Sequence, residues 1–238
     1  MSVTVKAYPS LPATSYLFAY NTTADSETFW SLVAFFHTQL PSLSESGVMG
    51  YYYAVPNVTK EPDPAQRGKL YGIWIIPEKT VAQANAILKP LEAAISSSNW
   101  PDKVFVAGFG TENPDFTSAW LANPPESVGF DGRLGSRLLG RRALTGNSTT
   151  LKALLKQTTP VPWAILGNLV AGPGVREVVI AGGGNAVNPA WRTAYVHFSK
   201  SPALIVVPRA AGAFCSLILG SSPTRMALPK YYRQDSHH

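Results

Sequence analysis

Two stretches of helical periodicity, each framed by short β-prone runs, constrain the fold of this chain most strongly. The first begins near Asp25 and Ser26, which offer an N-cap, and Pro41 is expected to end it. Its apolar face carries Phe29, Leu32, Val33, Phe36 and Leu40. The second opens at Pro77 and Thr80, and Pro90 is expected to kink it. Its apolar face carries Val81, Ala84, Leu88, Leu91 and Ile95.

Runs rich in β-branched and aromatic residues predict the strands between and beyond these helices. They span residues 2–8, 14–20, 48–55, 69–76, 103–109, 161–170, 175–181 and 191–198. A third helix is predicted over 149–157, and 110–150 is predicted to be a long loop with a short helix near 115–121, typical of a lid. This order indicates an α+β fold: a large, mainly antiparallel sheet with helices packed on one face and ferredoxin-like βαβ elements.

Composition narrows the functional classes. With 45% apolar and 14% charged residues, the 238-residue chain is not intrinsically disordered, and the single Cys215 excludes a disulfide framework. The net charge is +6, and the basic residues form one cluster, Arg133, Arg137, Arg141 and Arg142. No nucleic-acid recognition module surrounds this cluster, so nucleic-acid binding is not expected. No apolar run reaches the roughly 18 residues of a membrane span, and the N-terminus lacks a signal-peptide pattern. We therefore expect a cytoplasmic protein without nucleic-acid or membrane partners.

The sequence contains few motifs of catalytic or cofactor chemistry. It has no nucleophile elbow and no paired-histidine metal spacing, and Gly182–Gly184 lacks the residues of a phosphate-binding loop, so no metal or cofactor is expected. His37 lies beside the apolar face of the first helix, which favours a structural role. In the predicted strand 191–198, alternation places Trp191, Tyr195 and His197 on one face and Arg192 on the other. His197 is either a general acid–base in an aromatic pocket or a structural histidine of the sheet.

Aromatic residues cluster on the predicted central strands. Tyr51, Tyr52 and Tyr53 are consecutive, so they divide between the two faces of the sheet. Together with Trp74, Tyr16 and Phe18, they can line a pocket for a flat, oxygenated molecule. The alternative is that these rings form the core beneath the helices.

Several segments resemble the substrate-binding half of fungal berberine-bridge-type, FAD-linked oxidoreductases. They are SVTVKAYPS, FWSLVAFFHTQLPSLSESGVMGYYY, GSRLLGRRAL and, most specifically, NAVNPAWRTAYVH at 185–197. The resemblance implies a substrate domain over residues 1–200 with a large antiparallel sheet, followed by a divergent extension over 201–238. The family's flavin-binding half has no counterpart in this sequence. The surface that faces flavin in the family is therefore expected to form a homodimer or to be capped by the extension.

This resemblance implies a flavin-independent tailoring enzyme of fungal secondary metabolism. Its substrate would be an aromatic polyketide or terpenoid intermediate that undergoes dehydration, cyclisation or cycloaddition. The expected catalytic residues are His197, Tyr53, Tyr51 and Arg192, and the expected substrate-binding residues are Trp74, Trp191, Tyr16, Phe18 and Tyr195. Two alternatives stay open: the substrate half of an oxidoreductase that needs a separate flavin domain, and a non-catalytic binder of hydrophobic metabolites.

Overall fold

A computed structural model of the chain describes residues 9–121, 134–178 and 187–202. The strands are β1 (Ala13–Thr22), β2 (Met49–Val55), β3 (Gly68–Pro77), β4 (Phe105–Asn113), β5 (Gly135–Gly140), β6 (Trp163–Leu169) and β7 (Ala194–Pro202). The helices are α1 (Glu27–Glu45), α2 (Val81–Ser97), α3 (Phe116–Leu121), α4 (Arg141–Thr145), α5 (Ser148–Thr158), α6 (Pro173–Glu177) and α7 (Ala190–Thr193), with a 3₁₀ turn at Pro64–Gln66.

The seven strands form one sheet in the order β4-β1-β3-β2-β6-β7-β5, and every neighbouring pair is antiparallel. The first four strands with α1 and α2 follow the β-α-β-β-α-β order of a ferredoxin-like unit. Strands β6, β7 and β5 extend that unit beyond β2. This arrangement confirms the predicted α+β fold with a large antiparallel sheet.

The two long helices begin where the sequence predicts. The Ser26 side chain accepts a hydrogen bond from the backbone N–H of Phe29 at the start of α1, and Thr80 forms a capping box with Gln83 at the start of α2. The predicted end of α1 at Pro41 is wrong, because the helix continues to Glu45. Leu43, which lies beyond the proline, is buried in the core, and this packing offsets the backbone hydrogen bond that proline cannot make.

The main core lies between the sheet and the layer formed by α1 and α2. Its centre is a group of fully buried rings in which Phe18 stacks on Trp74 with centroids 4.9 Å apart. Phe36 of α1 contacts the rings of Phe18, Trp74 and Tyr52, at centroid distances of 5.7, 6.1 and 5.0 Å. We call this side of the sheet the helix-covered face. The short helix α3 packs Ala119 on the opposite side, against Ala13, Ile73 and Ile75, so the helices are not confined to one face.

The later part of the chain departs from two sequence predictions. The predicted loop over 110–150 contains the end of β4, all of β5 and α4, and the start of α5, although the short helix near 115–121 is confirmed as α3. The predicted strand over 175–181 is wrong at its start, where Pro173 opens the helix α6. The predicted strand 2–8, the Gly182–Gly184 run and residues 203–238 lie outside the described residues.

The substitution Gly167→Ala tests the close approach of β6 to the core. Gly167 pairs with Tyr52, and a Cβ atom at Gly167 would overlap the Cζ and hydroxyl atoms of the Tyr52 ring. We expect a loss of about 1–3 kcal/mol in the free energy of unfolding, measured by urea denaturation, because the ring must move. Gly174→Ala is the control, since a Cβ atom there meets nothing within 4 Å. Equal effects of the two substitutions would contradict this packing.

Candidate functional site

The three consecutive tyrosines divide between the two faces of the sheet. Tyr52 points into the core, where its hydroxyl donates to His37 Nε2 at 2.8 Å, and His37 Nδ1 donates to the Val33 carbonyl at 2.7 Å. Burial lowers the pKa of His37 to about 4, so the imidazole is neutral and accepts this bond. The predicted structural role of His37 is confirmed. Tyr51 and Tyr53 point to the opposite side, which we call the far face.

A row of directly paired residues crosses the far face from one edge of the sheet to the other. From β5 to β4 it contains Leu138, His197, Asn168, Tyr51, Ile73, Leu17 and Phe109. Directly opposed residues of antiparallel strands point to the same face, so these side chains stand side by side. Three neighbours, His197, Asn168 and Tyr51, carry hydrogen-bonding groups and are only partly buried. We call these three side chains the polar row.

Further aromatic rings flank the polar row. Tyr51 and Tyr53 meet edge to face at 5.8 Å, and Tyr53 stacks on Tyr71 at 5.4 Å. Next to Tyr51 the far face becomes apolar, with Ile73 and Leu17 packed together with α3. The far face therefore combines hydrogen-bonding groups near β6 and β7 with apolar surface near β1 and β3.

The segment before His197 is not the regular strand that the sequence predicts. The Asn188 side chain accepts from the Ala190 backbone N–H at 3.0 Å, and Pro189 is the N-cap residue of the helical turn α7, on which Trp191 and Arg192 lie. The predicted alternation of Arg192 against His197 is therefore wrong. The predicted proximity of Trp191 to His197 is confirmed, because their ring centroids lie 5.2 Å apart, and the Trp191 side chain is partly exposed.

Tyr16, Phe18 and Trp74, all predicted as substrate-binding residues, lie in the core on the helix-covered face with 0% exposure. The Tyr16 hydroxyl donates to Glu92 Oε1 at 2.8 Å, and burial raises the pKa of this phenol to about 12. The predicted grouping of these three rings with Tyr51 and Tyr53 is wrong. Strand alternation places the two sets on opposite sides of the sheet.

Tyr195 is also separated from His197. The ladder between β5 and β7 shifts register beside Leu139 and Gly140, and Tyr195 packs into the core on the helix-covered side. Its hydroxyl donates to Glu45 Oε1 at the end of α1, at 2.6 Å. The predicted shared face of Tyr195 and His197 is therefore wrong.

Two polar residues of the far face were not among the sequence candidates. Sequence reasoning missed Asn168 because it is the one amide in an otherwise apolar strand. Its position in that strand nevertheless determines that it lies on the far face. Lys69, 6% exposed, donates to Glu61 Oε2 at 2.6 Å and shares the far-face parity of Tyr71 and Ile73. A lysine inside a predicted buried strand was the signal for this ion pair, because lysine is seldom buried without a charged partner.

Within 9–121, 134–178 and 187–202, no group of His, Cys, Asp and Glu side chains is arranged to hold a metal ion. In the same ranges, none of the helices combines the length and apolar character needed to cross a bilayer.

Two curated FAD-linked oxidoreductases are similar in sequence to most of this chain. No protein-family model matches the chain. An uncharacterized FAD-linked oxidoreductase of Arthroderma benhamiae is 33% identical over 208 residues, which cover 82% of this chain and 34% of that protein. The FAD-linked oxidoreductase patO of Aspergillus clavatus is 27% identical over 81% of this chain and 32% of its own length. The chain thus spans about a third of the curated relatives it matches.

Solved flavoprotein structures contain a region with the same fold as this chain. A VAO-type flavoprotein of Myceliophthora thermophila C1 has a TM-score of 0.69 at 23% identity, covering 80% of this chain and 34% of that one. A berberine bridge enzyme structure has a TM-score of 0.51 at 12% identity, covering 87% of this chain and 38% of its own. By sequence, this chain is a homologue of one portion of the fungal FAD-linked oxidoreductases, and its fold is the one found in VAO and berberine-bridge-type flavoproteins.

Proposed function

We propose that the far face is the substrate-binding wall of an FAD-linked oxidoreductase and that it binds an oxygenated aromatic molecule. The polar row carries this proposal. Tyr51, Asn168 and His197 are held in register on three adjacent strands, so the Cα atoms of Tyr51 and His197 are about 10 Å apart. That span suits a fused-ring molecule with an oxygen substituent at each end.

The surroundings of the polar row support an aromatic ligand. Trp191 beside His197 offers a partly exposed ring for stacking, while the phenol of Tyr51, the amide of Asn168 and the imidazole of His197 can bind carbonyl and hydroxyl oxygens. The rings of Tyr53 and Tyr71 are buried and stacked on each other, so they support this wall from within and the predicted catalytic role of Tyr53 is not part of the proposal. In such a complex, His197 accepts the proton of a substrate hydroxyl, and Tyr51 donates a hydrogen bond to an oxygen that gains charge. These are binding, orienting and proton-transfer roles.

The described residues do not fit FAD itself. A dinucleotide is held where a glycine-rich turn opens a helix and offers free backbone N–H groups. The three long helices near and beyond the sheet, α1, α2 and α5, open at Ser26, Thr80 and Asn147, whose side chains already accept from the first-turn N–H groups. The helices that open at Gly140 and Gly172 without a side-chain cap, α4 and α6, have only five residues each. The proposal therefore assigns the flavin to a separate domain.

A flavin-independent enzyme is the second candidate, and it too is supported by the polar row. A proton acceptor and a phenol on one wall can promote dehydration or cyclisation of an aromatic polyketide or terpenoid by proton transfer and orientation alone. Two measurements on the purified protein, alone and with added FAD, separate the two candidates: the absorption spectrum, which detects bound flavin, and the turnover of an aromatic substrate. Turnover that requires FAD supports the first, and turnover by colourless protein supports the second. Binding without turnover in either condition leaves a metabolite binder.

Substitutions on β2 and β7 test the binding wall directly. The probe is emodin, a planar hydroxyanthraquinone, and its affinity for the 238-residue protein is measured by titration calorimetry. We expect Tyr51→Phe and His197→Gln each to weaken binding about tenfold, because each removes a hydrogen-bonding group from the far face. Tyr52→Phe is the matched control, since its hydroxyl points to His37 on the other side of the sheet. Unchanged affinity in Tyr51→Phe, or an equal loss in Tyr52→Phe, would contradict the proposal.

A further inference from the structure

A second candidate site lies away from the far face, around Tyr195. The guanidinium of Arg176 stacks on the Tyr195 ring, with its Cζ 3.7 Å from the ring centroid, and the Cζ of Arg141 lies 5.1 Å from the same centroid. A guanidinium over an aromatic face is held by cation–π attraction while its N–H edge stays available. One tyrosine therefore orders two cationic groups that come from α6 and from α4.

One carboxylate in this cluster contacts one of the two guanidinium groups and the tyrosine hydroxyl. Glu45 accepts from Arg141 Nη2 and, at 2.6 Å, from the Tyr195 hydroxyl. Arg141 Nη2 also donates to the Tyr195 hydroxyl at 3.0 Å. Hydrogen bonds from Arg141 and Tyr195 lower the pKa of Glu45, which is therefore ionised at neutral pH. One negative charge against two positive charges leaves the cluster with an excess positive charge.

The excess charge resides on Arg176. Its Nη2 donates only a long bond of 3.4 Å to the Ala194 carbonyl, and its buried Nε has no hydrogen-bond partner. Within the described ranges Arg176 forms no ion pair, whereas Arg141 pairs with Glu45. A buried guanidinium N–H without an acceptor is costly, and an anion is the partner that satisfies it with the largest gain.

We propose that Arg176 and Arg141, ordered by Tyr195, form a binding site for a small oxyanion, either a carboxylate or a phosphate. Both ligand groups offer two oxygen acceptors to the planar N–H edge of a guanidinium. The partial exposure of Arg141 gives the anion a route from solvent, since half of its side-chain surface is accessible. The proposal does not depend on the proposed function of the far face.

The test is an anion titration of the 238-residue protein at constant ionic strength. Inorganic phosphate and citrate are added separately, and the side-chain Nε–H signals of the arginines are followed by heteronuclear NMR. We expect saturable shifts of the Arg176 and Arg141 signals. Arg176→Gln should weaken binding about tenfold or more, and Arg176→Lys should weaken it in part because the charge remains but the planar edge is lost. Thermal unfolding of each variant establishes that it is folded.

Arg142→Gln is the matched control, because Arg142 is the exposed neighbour of Arg141 and takes no part in the cluster. Normal binding by this variant, with loss in Arg176→Gln, supports the site, and the preferred anion identifies a phosphate or a carboxylate ligand. Shifts that grow linearly without saturation, or an equal loss in both variants, would show only general charge screening and would overturn the proposal.

Discussion

Replacing Trp74 by alanine is expected to lower the free energy of unfolding by about 3–5 kcal/mol, the usual cost of removing a large buried ring. The Trp74 side chain is fully buried, stacks on Phe18 at 4.9 Å and lies parallel to Phe36 at 6.1 Å. Its removal leaves a cavity between the sheet and α1, where helix and strands are too tightly packed to close over it. Urea denaturation followed by circular dichroism measures the loss.

Trp120→Ala is the matched control, because this side chain on α3 is 56% exposed. Its free energy of unfolding should change by less than about 1 kcal/mol. The same pair also tests the correction to the sequence analysis, which assigned Trp74 to a substrate pocket. If Trp74→Ala were stable and lost only its affinity for emodin, the ring would belong to a ligand site and its placement in the core would be wrong.

Acidification is expected to destabilise the protein through His37. Burial lowers its pKa to about 4 in the folded state, against an ordinary value of 6.5, so the unfolded chain binds the proton more readily between these values. The contribution of His37 is complete above about pH 6.5, falls as the pH drops, and is exhausted below about pH 4. The shift corresponds to a loss of about 3 kcal/mol in the free energy of unfolding across this window.

The substitution His37→Gln isolates this contribution, because glutamine can accept from the Tyr52 hydroxyl but does not titrate. We expect the variant to be less stable at pH 7 and to have a flatter stability profile between pH 6.5 and 4. His197→Gln serves as the control, because His197 is only partly buried, and it should keep the steep profile. A His37→Gln variant as pH-sensitive as the parent protein would show that other groups carry the effect.

Much of the fold could be predicted from the sequence because helix and strand periodicities differ. The apolar faces of α1 and α2 and the strands β1, β2 and β3 follow these local patterns closely. Pro41 misled the prediction, since the helix continues past it with Pro41, Leu43 and Ser44 all buried, and their combined packing offsets the local penalty of the proline. The helical turn α7 was not predicted because its Trp and Thr residues are typical of strands, whereas Pro189 is its N-cap residue.

The candidate site was harder to predict because it depends on pairing across strands. Alternation alone places Tyr51 and Tyr53 together, but it cannot say which face meets the helices. The register of β2 with β6 and of β6 with β7 brings Tyr51, Asn168 and His197 into line, and nothing local to any one strand specifies it. The same limit applies to Arg176 and Glu45, which are far apart in sequence and meet only at Tyr195.

The division of adjacent tyrosines between two faces of one strand has an evolutionary consequence. Tyr52 is tied to His37 and to the packed rings, whereas its immediate neighbours face the opposite side. If the far face binds ligand as we propose, replacement of the partly exposed Tyr51 would alter ligand preference while Tyr52 keeps the packed rings in place. On that proposal, single replacements at alternate positions along the central strands would change the chemical target of the wall without touching the core behind it.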